Sequence, residues 1–407
     1  MKITTRSRNQ AFLDCARKGY LGYEAPNDTD GGVKGWERRA LNIFLATGIY
    51  THQVIELRLK GASMKEAIQQ AITEYFAEAS SRGLECEVAD DSNYAIFEQA
   101  AMIEAFGWGF ERVWIPRMEA EWEWTPEMVE MELTTPLSDD LMLASRIDLV
   151  ARRKLDGRLF EWNFKTVGQA GDKWYQGFEH DAQIMTETLA YERNFGEKVA
   201  GVNILGFVKG NRVGVDAEGH EVRGDEQKSM RPIVRYIQRS PLIYGWKFDG
   251  NPPLEPASYD YVSSRKKGWH RFPVWQEDAF REVCAENVTI AGEKNVSIRE
   301  MSPIEWWVKW LPLEVVEQNF ASVPPVMRDD ESVQNHVVQI IGMEERIASG
   351  VVDEIGVDHA FPMNHRNCIW PVRCQFYDAC YTAGVGDDPV GSGLYQPRTA
   401  NHPIEGE

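Results

Sequence analysis

Residues 145–166 read SRIDLVARRKLDGRLFEWNFKT, and no other stretch limits the fold as strongly. Two runs rich in β-branched, aromatic and apolar residues flank LDG, a tight-turn signal, so the segment predicts an antiparallel hairpin. Side chains alternate along a strand. Glu161, Asn163 and Lys165 therefore share one face of the second strand, while Asp148 sits among apolar residues of the first. Polar and ionisable groups placed there are costly unless paired or used. Two uses are open. An Asp–Lys ion pair could bridge the hairpin. Alternatively, carboxylates could hold Mg²⁺ or Mn²⁺ for phosphodiester hydrolysis, with a lysine stabilising charge or positioning the attacking water.

The flanking pattern places this hairpin in an α/β core with an appended helical part. Residues 33–112 carry apolar positions three and four apart and predict helices. VEMELTTPL, at 129–137, and VAGVNILGFVKG, at 199–210, predict further strands, with a helix at about 174–194 between the hairpin and the latter. A polar hairpin tip at 216–229 leads to RPIVRYIQRSP. Residues 273–350 read as mostly helical, and Trp306, Trp307 and Trp310 form an aromatic patch suited to core packing or base stacking. The Gly/Pro-rich tail from Ala383 is expected to fray. The segments are 1–32, an N-terminal piece; 33–112, helical; 113–245, the core; 246–350, loop and helices; 351–385, a cysteine segment; and 386–407, the tail.

Composition narrows the function classes. The chain of 407 residues carries a formal charge of −19, which argues against bulk electrostatic coating of nucleic acid or membranes. A local basic channel remains compatible with it. The first residues lack the apolar run of a signal peptide, and no apolar stretch approaches the roughly 20 residues of a membrane span. A cytoplasmic protein with no membrane partner is expected. Three of the six cysteines fall between 368 and 380. In a reducing compartment such clustering suggests metal before disulfide.

Two helical patterns add to the hairpin. TGIYTHQVIE puts Gly48 and His52 on one face, and HDAQIMTETLAYER does the same for Gln183, Glu187 and Tyr191. Taken singly, His52 reads as readily as a satisfied core histidine, and the second pattern as a polar stripe. In order along the chain they are G-x3-H, an Asp in a strand, a hairpin to F-K-T, and a helix with Gln. That order resembles the RecB-type branch of the PD-(D/E)XK nuclease superfamily. FLDCARKGYLGY near the start and CIWPVRCQFYDAC near the end are similar to the cysteine segments of its iron–sulfur members. Those include the AddB nuclease domain and CRISPR-associated and viral single-domain exonucleases.

The resemblance implies a restriction-endonuclease-like core, a mixed sheet flanked by helices, with helical insertions and a C-terminal iron–sulfur subdomain. It implies His52 and Asp148 as ligands of Mg²⁺ or Mn²⁺, the Phe164 carbonyl facing the metal, Lys165 as catalytic lysine, and Gln183 holding active site and DNA. Two departures stand out. The family carries Asp or Glu where this chain has Asn163, and Tyr where it has Glu187. Three readings of Asn163 stay open: an engineered inactivation, natural loss of activity with DNA binding kept, or a carboxylate that has moved. Glu187 ranks ahead of Glu161 as its new home, because Glu161 lies roughly 6–7 Å further along the strand.

The resemblance pairs Cys15 with Cys368, Cys374 and Cys380 around a [4Fe–4S] cluster. Four thiolates also suit tetrahedral zinc, but its usual short C-x2–4-C pairs are absent. Cys86 and Cys284 read as ordinary core cysteines. Candidate DNA contacts are Arg17 and Lys18, Arg152 to Lys154, Arg265, Lys266, Lys267, Trp269, His270 and Arg271, and Arg366 and Arg373; each basic run could equally be a solvated face. No sequence-reading motif and no nucleotide-binding P-loop appears. The expectation is a metal-dependent DNA exonuclease on single-stranded or unwound ends, with a helicase, recombination or CRISPR-adaptation partner. The rivals are a silent DNA-end binder or partner subunit, and a cluster-bearing redox or scaffold protein.

Overall fold

In a computed structural model the protein is a mixed α/β chain whose sheet is flanked by helices on both faces. The structure describes residues 2–27, 33–84, 86, 94–168, 170–178, 181–209, 302–310, 313–317, 319–350, 352–369, 373–400, 402 and 405. It also describes the backbone of four short strands between 211 and 296.

The chain opens with β1 (Lys2–Thr5), α1 (Arg6–Asp14), α2 (Ala16–Tyr23) and β2 (Trp36–Arg38). The helices α3 (Ile43–Leu59), α4 (Met64–Ser81) and α5 (Tyr94–Glu121) follow, then β3 (Trp122–Glu123). Next come β4 (Val129–Ser138), β5 (Leu141–Arg153) and β6 (Leu159–Val167), an antiparallel meander. α6 (Asp172–Gly177) and α7 (Ala182–Phe195) carry the chain over to β7 (Val202–Val208), which lies parallel to β6. The single helix expected at about 174–194 is thus two. The Asp181 carboxylate ends the interruption by accepting the Gln183 N–H at 2.7 Å, and Gly196 closes α7 at φ +67°.

Beyond β7 lie two short antiparallel pairs, β8 (Asn211–Val213) with β9 (Lys228–Met230) and β10 (Val288–Ile290) with β11 (Glu293–Val296). Then come α8 (Pro303–Trp310), α9 (Leu313–Glu317), β12 (Phe320–Val326), α10 (Asp330–Ala348), α11 (Val352–Ala360), α12 (Tyr377–Tyr381) and β13 (Tyr395–Pro397). β12 falls in a region expected to be mostly helical. It pairs antiparallel with β7, and its ladder shifts register across Pro324 and Pro325. An edge strand tolerates the missing donors. The tail does not fray throughout: β13 pairs with β2, and Tyr395 is buried.

The main sheet has the order β1-β5-β6-β7-β12, with β3 and β4 also on β5. β6 shows how sequence alternation builds two layers. Phe160, Trp162 and Phe164 enter the core beneath α3, α4 and α5. Glu161, Asn163 and Lys165 turn the other way and meet α7. α7 packs in turn on α10 through Leu189, Val333, Val337 and Ile340. Among the described residues, no helix is long and apolar enough to cross a membrane.

Candidate metal centre

The site lies where β5 and β6 part. Their ladder ends at Leu149–Trp162, and β1 takes up β5 again only at Leu141–Ala144. Asp148 falls in the gap. Its Oδ2 accepts the Phe164 N–H at 2.7 Å, bonding to a backbone donor just past the ladder's end.

α3 lies over this opening. A Cβ at Gly48 would sit 2.7 Å from Thr166 Oγ1, so glycine permits the close approach of helix and strand. One turn later, His52 Nδ1 is 3.8 Å from Asp148 Oδ2, and its ring shares a backbone hydrogen bond with Phe164. Burial drives the imidazole pKa down; the Asp148 charge opposes this, while Lys165 and Arg146 reinforce it. The neutral ring is the form that ligates a metal.

The third member is Glu130 of β4. The pairs Val129–Leu149 and Met131–Ile147 place it opposite Asp148. Its φ is +51°, the left-handed region, which costs a non-glycine residue about 1–2 kcal/mol. Burial pushes its carboxyl pKa up, the facing Asp148 charge adds to that, and Arg146, 3.1 Å away, opposes. One ligand atom each from His52, Glu130 and Asp148 lie within 4.8 Å of one another. Glu130 is not among the residues that the sequence pattern singles out. VEMELTTPL and LMLASRIDLVARR are separated by only a few residues, and pairing them as a tight hairpin sets Glu130 close to Asp148.

On the α7 side, Lys165 Nζ donates to Gln183 Oε1 at 2.9 Å, and Gln183 Nε2 donates to Glu187 Oε1 at 2.7 Å. Asn163 Nδ2 donates to the other Glu187 oxygen. Glu187 is thus the shared acceptor of two amides. Burial raises its carboxyl pKa, with Lys165 opposing and Asp148 adding. Asn163 is almost wholly buried, and its Oδ1 has no partner among the described residues. Glu161 is fully buried, accepts from Thr188 at 3.3 Å, and also leaves one oxygen unpartnered among them. Tyr191 instead packs with Ile147, Val150 and Leu159.

The two ends of the chain meet at the cysteines. Asn364 N–H donates to Cys15 Sγ at 3.2 Å, and the Asn364 and Asn367 side chains donate to the Asp14 carbonyl. Cys15, Cys368 and Cys374 line one cavity of about 480 Å³ with Lys18 and Arg373. Burial raises the Cys374 and Cys380 thiol pKa values, the latter to about 11, and nearby Cys15 and Cys368 add to both. No three of these sulfurs lie within 4.8 Å of one another among the described residues. Thiolates around one tetrahedral zinc, with bonds of about 2.3 Å, sit closer than that. Cys86 packs against the main core, and Cys284 lies outside the described residues.

Several candidate DNA contacts are engaged within the protein. Arg17 bonds to the Phe361 carbonyl and Asp358, Lys18 to Asp14, and Arg373 to Asp378. Arg152 pairs with Glu197, Arg153 with Asp156, and Lys154 with the Glu119 carbonyl. Arg366 is exposed. Arg265, Lys266, Lys267, Trp269, His270 and Arg271 lie outside the described residues, as do the side chains of Trp306, Trp307 and Trp310. No protein-family model matches the chain, and no curated protein matches it.

Proposed function

We propose that the protein is a metal-dependent DNA nuclease with a PD-(D/E)XK core of the RecB type, acting as an exonuclease on single-stranded or unwound ends. The observation that carries this reading is the convergence of His52, Glu130 and Asp148 beside Lys165. The motif order is kept in space: the strand with Asp148, a hairpin to the strand with Lys165, and a following helix with Gln183.

The donor set suits a hard divalent cation: two carboxylates and one neutral imidazole at short mutual range, with the Phe164 backbone at the imidazole. Bound Mg²⁺ or Mn²⁺ supplies Lewis acidity toward a phosphodiester and toward water. The chain's own residues do the rest. Lys165, oriented by Gln183, offers an ammonium to the negative charge that builds on the phosphate as water adds and the P–O bond breaks. Gln183 in turn is fixed by the Asp181 cap and by Glu187, so the lysine's position is set by the start of α7.

For the four cysteines a [4Fe–4S] cluster is favoured over zinc by the resemblance and by the lack of short C-x2–4-C pairs, and Cys15, Cys368 and Cys374 line a common cavity that could hold it. Its role is that of a clasp, since ligation free energy is folding free energy. The partners that suit such an enzyme are DNA and a helicase, recombination or CRISPR-adaptation complex that delivers ends. Asn163 specifically favours a second reading, a silent DNA-end binder, because the motif position holds an uncharged amide already engaged by Glu187.

The deciding experiment incubates labelled single- and double-stranded DNA with the anaerobically purified protein and Mn²⁺. Cleavage lost in Lys165→Ala and Asp148→Asn is expected. Salt-sensitive binding without cleavage, even in Asn163→Asp, leaves the silent binder.

A further inference from the structure

We infer that Glu130 is the carboxylate that replaces the acid missing at Asn163, so that the metal is held from the neighbouring strand and not from the motif position. This rests on the nuclease reading above.

Three independent features of Glu130 converge. The first is position. The β4–β5 register sets it opposite Asp148, and a carboxylate oxygen of each lies within 4.8 Å of the other and of a His52 nitrogen. The second is backbone. Glu130 holds φ +51° inside a strand, a conformation uncommon for any residue but glycine. A strained residue persists only when its surroundings over-determine it, and such residues concentrate at functional sites. The third is charge. Like charges directly opposite on neighbouring strands are destabilising. Arg146, about half exposed, is the cation at hand, 3.1 Å from Glu130 and 3.7 Å from Glu132. A divalent cation between Glu130 and Asp148 resolves what Arg146 only partly offsets.

The other two candidate acids are occupied elsewhere. Both Glu187 oxygens accept amide hydrogens, from Gln183 and Asn163. Glu161 lies deeper along β6 and accepts from Thr188. Glu187 is thereby a positioning residue. It orients Asn163 and Gln183, and through Gln183 it orients Lys165. Asn163 keeps one buried oxygen, unpartnered among the described residues, that can still face a cation without adding charge.

The test measures Mn²⁺ binding by calorimetry and by loss of the free-ion paramagnetic resonance signal, alongside cleavage of DNA. Wild type, Glu130→Gln, Asn163→Asp, the double variant and Asp148→Asn are compared. Glu130→Gln should weaken Mn²⁺ binding by roughly 10- to 100-fold, the range seen even for loss of an outer partner. Its metal-free melting temperature should rise while the further rise on adding Mn²⁺ shrinks, which also shows that it folds. The double variant should recover binding, because Asp at 163 restores the motif carboxylate. Unchanged Mn²⁺ affinity in Glu130→Gln, with affinity lost in Asp148→Asn, overturns the assignment and leaves the nuclease reading intact. Binding that depends on Glu130 without any DNA cleavage by wild type or by Asn163→Asp supports the ligand and ends the nuclease reading.

Discussion

Glu161 shows how little a single buried acid need contribute to its own fold. It is fully buried, one oxygen has no partner among the described residues, and burial followed by the nearby Glu187 charge holds its carboxyl well above the usual carboxylate range. An acid that binds its proton more tightly when folded loses stability as pH rises past its unfolded value of about 4.3. Glu161→Gln removes that effect. The variant should match wild type near pH 4 and be the more stable of the two at pH 7.5. Denaturant melts at the two pH values check this, and a variant less stable at pH 7.5 would refute it. Period-two alternation alone assigns Glu161 to the same face as Asn163 and Lys165. Glu130 stays hidden for a different reason. Its role depends on strand register and a positive φ, and a residue pattern within one strand encodes neither.

Elements are legible where their pattern is regular. β4, β5 and β6 follow the predicted strands to within a few residues, because β4 and β6 alternate, β5 is a long run rich in apolar and β-branched residues, and the LDG turn spaces the last two. β12 is not, since Pro324 and Pro325 mask a strand whose pairing on β7 is supplied by tertiary structure. The break before α7 is likewise invisible until Asp181 is seen as its cap. The most consequential contact between elements is that of α3 on β6. Gly48→Ala drives a methyl to 2.7 Å from Thr166 Oγ1, against a short side chain on a sheet strand that has little freedom to yield. The helix must lift and carry His52 away from Asp148. The expected outcome is a loss of about 1–3 kcal/mol in stability together with weaker Mn²⁺ binding. Adding Thr166→Ala, which removes the clashing oxygen, should restore both in the same assays. A Gly48→Ala protein that binds Mn²⁺ like wild type would show that His52 does not depend on this contact.

At the scale of the whole molecule, the charge of −19 proves less informative than where opposite charges meet. The N-terminal segment is tied to α10 by a buried group: Glu344 accepts from Arg8 Nε at 2.8 Å and from Thr4, and pairs with Lys2 at 2.8 Å. Arg8 and Glu344 are both buried. This network anchors β1, which pairs with the first half of β5, the strand that carries Asp148. It therefore joins the N-terminal segment and α10 to the strand that carries Asp148. Burial alone would raise the Glu344 carboxyl pKa, but Arg8, Lys2 and Thr4 outweigh it and the value lies below normal. A depressed acid contributes its full stability above the unfolded pKa of about 4.3 and loses it as pH falls through the folded value. Among the described residues Glu344→Gln leaves Arg8 paired with Glu24, so it should destabilise at pH 7 by less than the roughly 3–5 kcal/mol of an uncompensated buried charge. The gap between variant and wild type should narrow steadily below pH 4.3 in thermal melts. A gap that stays constant to about pH 3 would mean that Glu344 acts through packing and not through its charge.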